Sequence, residues 1–160
     1  MEPRIETLSK TTVIGMKMIM SFANNRTAEL WRTFMPRRRE LQNAIGPELY
    51  SVEVYNNPTF FEKFNPANEF EKWAAVKAHA DDSVPDGMHT LTIPEGLYAV
   101  FPYKGKPSQA QSVYQFIYAT WIPGSIYQLD NRPHFALMGE KYKGEHPDSE
   151  EEFWIPIKKR

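Results

Sequence analysis

A short pattern occurs twice in the chain, and it constrains the fold more than any other feature of the sequence. Residues 71–77 and 152–158 both read Glu-x-Trp-x-x-aliphatic-Lys. The two copies begin about 80 residues apart, close to half of the 160-residue chain, and such a repeat indicates one supersecondary unit made twice. The clearest linker is the segment 81–87, Asp-Asp-Ser-Val-Pro-Asp-Gly. We therefore predict a single domain of two similar halves, residues 1–82 and 83–160, packed on each other.

The order of predicted elements agrees between the halves. In the first half, strand-like sequence at 4–20 precedes an amphipathic helix over about 26–44, which Pro36 should kink. Strands are predicted over 49–55 and 69–79. The second half contains, in the same order, a strand region over 91–101 interrupted by a turn, a helix over about 109–121, a strand over 134–142 with a possible bulge at Gly139, an acidic loop over 145–151 and a closing strand over 152–158. We therefore predict an α+β fold built from two strand-helix-strand-strand units.

The composition excludes several classes of function. The chain has no cysteine and its four histidines show no metal-ligand spacing, so we expect no disulfide, no metal site and no cofactor. The net charge of −1 offers no attraction for nucleic acid, and the basic run 37–39 would point its arginines in different directions on a helix. No apolar run reaches membrane-spanning length and no signal pattern is present, so we expect a cytoplasmic protein without a membrane partner. Aromatic residues make up 14% of the chain, which indicates a ring-rich core or a ring-lined pocket.

Four segments of the second half occur together in a known family. They are Ile93-Pro94-Glu95-Gly96-Leu97-Tyr98-Ala99-Val100-Phe101, Trp121-Ile122-Pro123-Gly124-Ser125, Arg132-Pro133-His134-Phe135 and Ile155-Pro156-Ile157-Lys158. In this order they resemble the GyrI-like, or AraC-type effector-binding, domain. The Trp-containing helix and the Tyr-ended strand of the first half fit the same family, so the resemblance covers nearly the whole chain.

The resemblance implies an antiparallel sheet with two helices packed on it and a groove between the halves. In the family this groove binds small hydrophobic or aromatic molecules, often cationic, which suggests a stand-alone, transcription-regulator-like module of the multidrug-binding kind. Many relatives carry an N-terminal DNA-binding helix-turn-helix. Because this sequence starts directly at the first strand, we expect no DNA-binding domain and no direct contact with nucleic acid; a homodimer stays open.

Two other functions are compatible with the resemblance. Some stand-alone relatives are similar to hydrolases that open strained cyclopropane rings in DNA-alkylating compounds, using an acidic residue in the groove. A protein-interaction role is the third alternative, and no residue of the sequence favours it.

One strand departs from the family pattern. The family typically reads Pro-x-Phe-Glu-x-Tyr there, and its buried carboxylate is the partner of a cation. Here Ala136 stands at the Glu position and Met138 at the Tyr position. The departure predicts a preference for neutral or weakly cationic aromatic ligands, and we assign no catalytic residue. Glu140, on the same side of a strand as Ala136, and Glu53 are the alternative carboxylates.

The predicted ligand site consists mostly of rings, because each good stacking pair adds about 0.5–1.5 kcal/mol beyond the burial of area. Trp154 matches an aromatic position of the family, and Trp73 should take the equivalent place in the first half. Either could instead be a core residue whose N–H is bonded internally. The other candidates for ligand contact are Trp31, Tyr55, Tyr98, Trp121, Phe135, Ala136, Met138 and Glu140.

Overall fold

The computed structural model describes residues 1–160. Segments of alternating apolar residues form nine β-strands, which join in one antiparallel sheet. The strands are β1 (Arg4–Leu8), β2 (Thr11–Ser21), β3 (Leu49–Val54), β4 (Glu69–Ala78), β5 (His89–Ile93), β6 (Gly96–Lys104), β7 (Tyr127–Leu129), β8 (His134–Met138) and β9 (Glu150–Lys159). Their order is β1-β6-β9-β8-β3-β4-β2-β5, and β7 pairs with β9.

Helix α1 (Thr27–Phe34) continues as a 3₁₀ helix over Met35–Glu40. The change of helix type falls at Pro36, which has no amide hydrogen to donate to the preceding turn. The predicted interruption at Pro36 is thus a change of helix type, and the helical segment ends at Glu40, whereas the predicted one ran to residue 44.

Helix α2 (Gln111–Phe116) follows a 3₁₀ turn over Pro107–Gln109 and continues as a π-helical turn over Ile117–Trp121. The amide of Ile122 donates to the carbonyl of Ile117, at 3.0 Å, which is the five-residue spacing of a π turn. Such turns insert one extra residue and frequently occur at functional sites, because they change the direction of the side chains that follow.

Both helices pack on the same face of the sheet. Leu30 and Phe34 of α1 are buried in a cluster with residues of β2 and β4, whereas Ile117 is buried in a separate cluster with residues of β6, β8 and β9. Between the two clusters run the central strands β3 and β8, on which Ser51 and Ala136 are cross-strand partners. This arrangement confirms the predicted α+β class and the two helices on an antiparallel sheet.

The opposite face has no helix, and the sheet curls around it. Only Ser9 and Lys10 separate β1 from β2, and only Pro94 and Glu95 separate β5 from β6, although these strands lie at or near opposite edges of the sheet. The edges must therefore approach each other. Since β1 pairs with β6 and β5 pairs with β2, each predicted half gives its first strand to the other. The division of the chain at residues 82 and 83 stays a prediction.

Two local predictions were wrong, and one short strand was not predicted. Strand β8 ends at Met138, so Gly139 is not a bulge within it. Strand β9 starts at Glu150, so the acidic segment 145–151 is not entirely a loop. The short strand β7 lies in sequence that carried no strand prediction. No helix is both long enough and apolar enough to cross a membrane.

Candidate functional site

The repeated motif lies on the helix-free face, in a row of side chains that crosses the sheet. From β2 to β1 the paired residues are Lys17, Trp73, Val52, Phe135, Trp154, Val100 and Arg4. The row places one Trp of the motif on each side of the central strands and a cation at each end.

The carboxylate of each motif accepts a hydrogen bond from the Trp of the same motif, since residues two apart on a strand share a face. The indole N–H of Trp73 donates to Glu71 at 2.6 Å, and that of Trp154 donates to Glu152 at 3.2 Å. Arg4 lies 5.9 Å from the Trp154 ring centroid and 2.7 Å from the Glu152 carboxylate. The same set of partners exists around Trp73, where Lys17 is the cation. The Glu-x-Trp spacing therefore describes two internally bonded core residues.

The rings on this face fill the inside of the curled sheet. Trp73, Tyr98, Phe135 and Trp154 are at most 7% exposed, and neighbouring rings among the last three lie 5.2–5.8 Å apart. The Tyr98 hydroxyl donates to the carbonyl of Pro133 at 2.7 Å. These four residues belong to one buried cluster, and their polar atoms have internal partners, so they do not line an open groove in this structure. Their contact with a ligand stays a prediction.

Three other predicted ligand contacts also lie outside a common site. Trp31 on α1 packs edge-on against Phe34, and Trp121 lies between the rings of Phe101 and Tyr127. Glu140 follows the end of β8 and is exposed, so it does not share the face of Ala136. The remaining predicted residues, Tyr55, Ala136 and Met138, all belong to the helix-bearing face.

That face contains a second group of aromatic rings together with charged side chains, and we call this group the central cleft. Its floor is the small pair Ser51 and Ala136 on β3 and β8, and its other members are Glu53, Tyr55, Phe61, Lys72, Tyr114, Tyr118, His134 and Glu151. Sequence analysis named Glu53, Tyr55 and Ala136 among these and missed the others as site residues.

Aromatic contacts join the first and second halves of the chain across the cleft. Phe61, in the loop before β4, stacks on Tyr118 of the π turn with ring centroids 4.2 Å apart and planes 12° apart. Tyr55 packs edge-on against Phe61 at 4.9 Å and against His134 at 4.9 Å. Tyr55, Phe61 and Tyr118 are only half-buried, so this group of rings reaches the surface of the protein.

The imidazole of His134 is held neutral in the central cleft. Its Nδ1 shares a 3.0 Å hydrogen bond with the Tyr118 hydroxyl. Burial lowers the pKa of His134 to about 3, and the charge of Arg132 adds to that effect. Burial also raises the pKa of Tyr118 well above its usual value, with the charge of Glu53 adding to the rise. The side chains of His134 and Tyr118 are therefore both neutral, and they form hydrogen bonds as uncharged groups.

The carboxylates of Glu53 and Glu151 differ in how their burial is compensated by neighbouring groups. Glu53 Oε2 lies 3.4 Å from the Lys72 ammonium, as an ion pair without hydrogen-bond geometry; burial raises the pKa of Glu53 and this pair opposes the rise. Glu151 is 9% exposed and its Oε2 has no partner. Burial raises the pKa of Glu151 to about 7; Lys72 opposes the rise, and Glu53 adds to it. The arrangement can hold a ligand that offers a planar ring and a polar hydrogen.

The comparison with protein families places the whole chain in one group. The model of the GyrI-like small molecule binding domain matches residues 1–158. Among proteins of known role, the chain is similar to the transcriptional regulator BrlR of Pseudomonas aeruginosa, with 26% identity over 159 residues. The match covers 98% of this chain and 56% of BrlR, so the chain spans about half the length of that relative.

Solved structures show the same fold at low identity. SAV2435, solved bound to tetraphenylphosphonium, has a TM-score of 0.68 and 17% identity, covering 99% of this chain and 94% of the other. The C-terminal domain of EcmrR has a TM-score of 0.69 and 13% identity, covering 99% and 98%.

Proposed function

Because the chain belongs to the family of GyrI-like small molecule binding domains, we propose that it binds or sequesters a small amphipathic aromatic molecule in the central cleft. In this proposal it acts as an effector-binding module of the transcription-regulator type. The single observation that carries the proposal is the stacked ring pair Phe61–Tyr118, which joins the two halves of the chain on the helix-bearing face.

The packing of these rings favours a planar ligand. Phe61 and Tyr118 come from separate parts of the chain, and Phe61 lies on a loop that joins β3 to β4. A ligand ring can therefore replace the Phe61 ring against Tyr118 without disturbing a strand or helix. Stacking on Tyr118 contributes about 0.5–1.5 kcal/mol, and a cation over the ring adds about 0.5–2 kcal/mol.

The charge distribution supports a ligand role without direct contact to nucleic acid. The net charge is −1, and two of the three arginines in the basic run have internal partners: Arg37 pairs with Glu40 at 2.7 Å and Arg38 donates to the carbonyl of Pro47 at 2.8 Å. We propose that any effect on transcription passes through a partner. A cytoplasmic location and a homodimer remain predictions from the sequence.

Titration with tetraphenylphosphonium, the phenyl-bearing cation held by SAV2435, tests the proposal. We expect saturable binding by calorimetry, weakened about tenfold in Tyr118→Ala, which loses a stacking partner. Tyr127→Ala is the matched control, because Tyr127 is also half-buried but stacks on Trp121 outside the cleft. Circular dichroism must show both variants folded. Absence of saturable binding, or equal loss in both variants, contradicts the proposal.

Hydrolysis of electrophilic aromatic compounds is the second candidate, and the carboxyl of Glu151 favours it. A general acid or base works best when its pKa lies near the working pH, and that of Glu151 is about 7. In this candidate Glu151 assists the addition of water to a strained ring. Incubation with a cyclopropane-containing alkylator should give a ring-opened product with the wild-type protein and none with Glu151→Gln. Recovery of unchanged alkylator rejects the hydrolase and leaves the binding proposal standing.

A further inference from the structure

A hollow with aromatic walls lies beside the second helix and shares no lining residue with the central cleft. Its volume is about 400 Å³, and its lining includes Phe116, Trp121, Ile126 and Tyr127. The rings of Trp121 and Tyr127 are nearly parallel, with their planes 17° apart and their centroids 6.2 Å apart. We call this surface the α2 hollow.

Ile126 is an unusually exposed apolar residue at the edge of the α2 hollow. Its exposed fraction, 67%, is the highest among the large hydrophobic residues of the chain. Hydrogen bonds fix the segment that presents it, because the backbone N–H of Arg160 donates to the Ile126 carbonyl at 3.1 Å and its guanidinium donates to the carbonyl of Ile122, also at 3.1 Å. An exposed apolar group beside aromatic rings is typical of an interaction surface.

Two charged residues beside the α2 hollow have no partner within the chain. Glu2, from the segment before β1, contributes to the lining, and Lys159 is the strand partner of Tyr127. Both side chains are exposed and neither forms an ion pair, whereas their neighbours Arg4 and Lys158 do. The surface therefore offers one free negative charge and one free positive charge.

The strand register places these charges toward opposite ends of the hollow. Arg4 is level with Val100 of β6 and, through it, with Trp154 of β9. Lys159 lies five residues further along β9, a distance of about 17 Å at the rise of a β-strand. Since directly paired residues share a face of the sheet, the Lys159 side chain lies on the face of Tyr127.

Such a surface is complementary to itself. In a dimer with two-fold symmetry the same patch meets its own copy, turned by half a rotation. That rotation brings the acid of each copy to the cation of the other and sets each Ile126 against the partner's rings. An acidic peptide or an anionic membrane surface would be attracted by Lys159 but repelled by Glu2, so the charges favour a second copy of this chain.

We propose that the α2 hollow is the interface of a two-fold symmetric homodimer. In this dimer Ile126 packs against the partner's Trp121 and Glu2 pairs with the partner's Lys159. Aromatic residues at the centre and charged residues at the rim are the usual anatomy of a protein interface. The central cleft of each copy remains uncovered, and the inference does not depend on the proposed ligand site.

Sedimentation equilibrium of the full chain, from about 1 to about 200 μM, tests the proposal. We expect a dimer for the wild-type protein and a dissociation constant at least about 30 times higher for Ile126→Asp, which places a charge at the apolar centre. Ile19→Asp is the matched control, because Ile19 is also half exposed but lies on β2, outside the hollow. It should keep the wild-type dissociation constant.

Exchange of the two charges tests the predicted pairing and does not depend on the folding of Ile126→Asp, since both residues are exposed. Glu2→Lys and Lys159→Glu each bring like charges together twice, and each should weaken the dimer about 3–30 times at low ionic strength. An equimolar mixture of the two variants should recover the wild-type association, because every contact then joins opposite charges.

Three results would overturn the inference. They are a wild-type protein that stays monomeric throughout, which would leave the hollow to a different partner, a dimer unaffected by Ile126→Asp, and a mixture of the charge variants that does not recover association. The titration with tetraphenylphosphonium is a separate measurement, so the proposed function and the dimer can fail independently.

Discussion

The two faces of the sheet are both rich in aromatic rings, yet they differ in what their polar atoms do. On the helix-free face the indole N–H groups of Trp73 and Trp154 and the hydroxyl of Tyr98 all have partners within the protein. On the helix-bearing face, Oε2 of Glu151 is buried without a hydrogen-bond partner, and the nearby rings of Tyr103 and Tyr114 are only half-buried. The first face is a core and the second is a candidate site.

The difference teaches that a concentration of rings does not by itself locate a ligand site. Rings that pack on each other and satisfy their polar atoms stabilise the fold and have nothing left to offer a ligand. A site is better identified by polar groups that the protein has buried and left unmatched. The three predictions that follow test this contrast, beginning with the helix-free face.

Truncation of Trp154 should produce the largest effect and should act on stability. Trp154→Ala removes a buried ring that contacts Tyr98 and Phe135, and we expect the free energy of unfolding to fall by about 3–5 kcal/mol. The equivalent Trp73→Ala should cost a similar amount. Urea denaturation measures both losses. The folded fraction of each variant should bind tetraphenylphosphonium with the wild-type affinity; a stable Trp154→Ala variant without binding would make the helix-free face the site.

The pH dependence of stability should separate two buried groups of the central cleft. The folded-state pKa of Glu151, about 7, exceeds its ordinary value of 4.5, so its contribution to stability is present below pH 4.5 and is lost as the pH rises through 7. The pKa of His134 is lowered from 6.5 to about 3, so its contribution is present above pH 6.5 and is lost as the pH falls toward 3. Between pH 6.5 and 4.5 the two trends oppose each other.

The variant Glu151→Gln separates the contributions of Glu151 and His134 to the pH dependence of stability. Compared with the wild-type protein, it should be more stable by up to about 3 kcal/mol at pH 8 and equally stable below pH 4.5, because only the charged form of Glu151 is costly. Its own stability should fall steadily from pH 6.5 to 3, the range in which His134 is protonated in the unfolded chain but neutral in the folded protein. Urea denaturation at a series of pH values measures both curves. A difference that does not change with pH would contradict the raised pKa of Glu151.

The fold was largely predictable because its signals are local. β-branched and alternating residues identified β2, and the proline at position 36 located the change in helix type. The face on which a ring lies was not predictable in the same way. Trp73 and Trp154 were correctly related by the repeat, but whether their face is covered by helices or by the curl of the sheet depends on long-range pairing of β1 with β6 and β5 with β2.

The candidate site was missed for a similar reason. Glu151 lies in a run of acidic residues that predicts a loop, and only pairing with Tyr103 shows that it belongs to β9 and points toward the helices. Tyr118 was not identified because it lies in the π turn. A regular helix period assigns the direction of side chains after Phe116 incorrectly. Phe61 lies in the loop between β3 and β4, and its partner Tyr118 on the extension of α2 could not be identified from sequence spacing.

Removal of the Phe61 ring should produce the smallest effect, and its sign distinguishes two roles for this residue. In the structure Phe61 covers Tyr118, so a ligand that stacks on Tyr118 must first separate the pair. That separation costs the stacking term of about 0.5–1.5 kcal/mol, and Phe61→Ala should therefore bind tetraphenylphosphonium about 2–10 times more tightly by calorimetry. Phe64→Ala is the control, since Phe64 is half exposed on the same loop and makes no contact with Tyr118, and its affinity should not change. Weaker binding by Phe61→Ala would instead show that Phe61 remains against the ligand. The central cleft would then remain the candidate ligand site, and the ligand would lie between Phe61 and Tyr118 rather than in the position of the Phe61 ring.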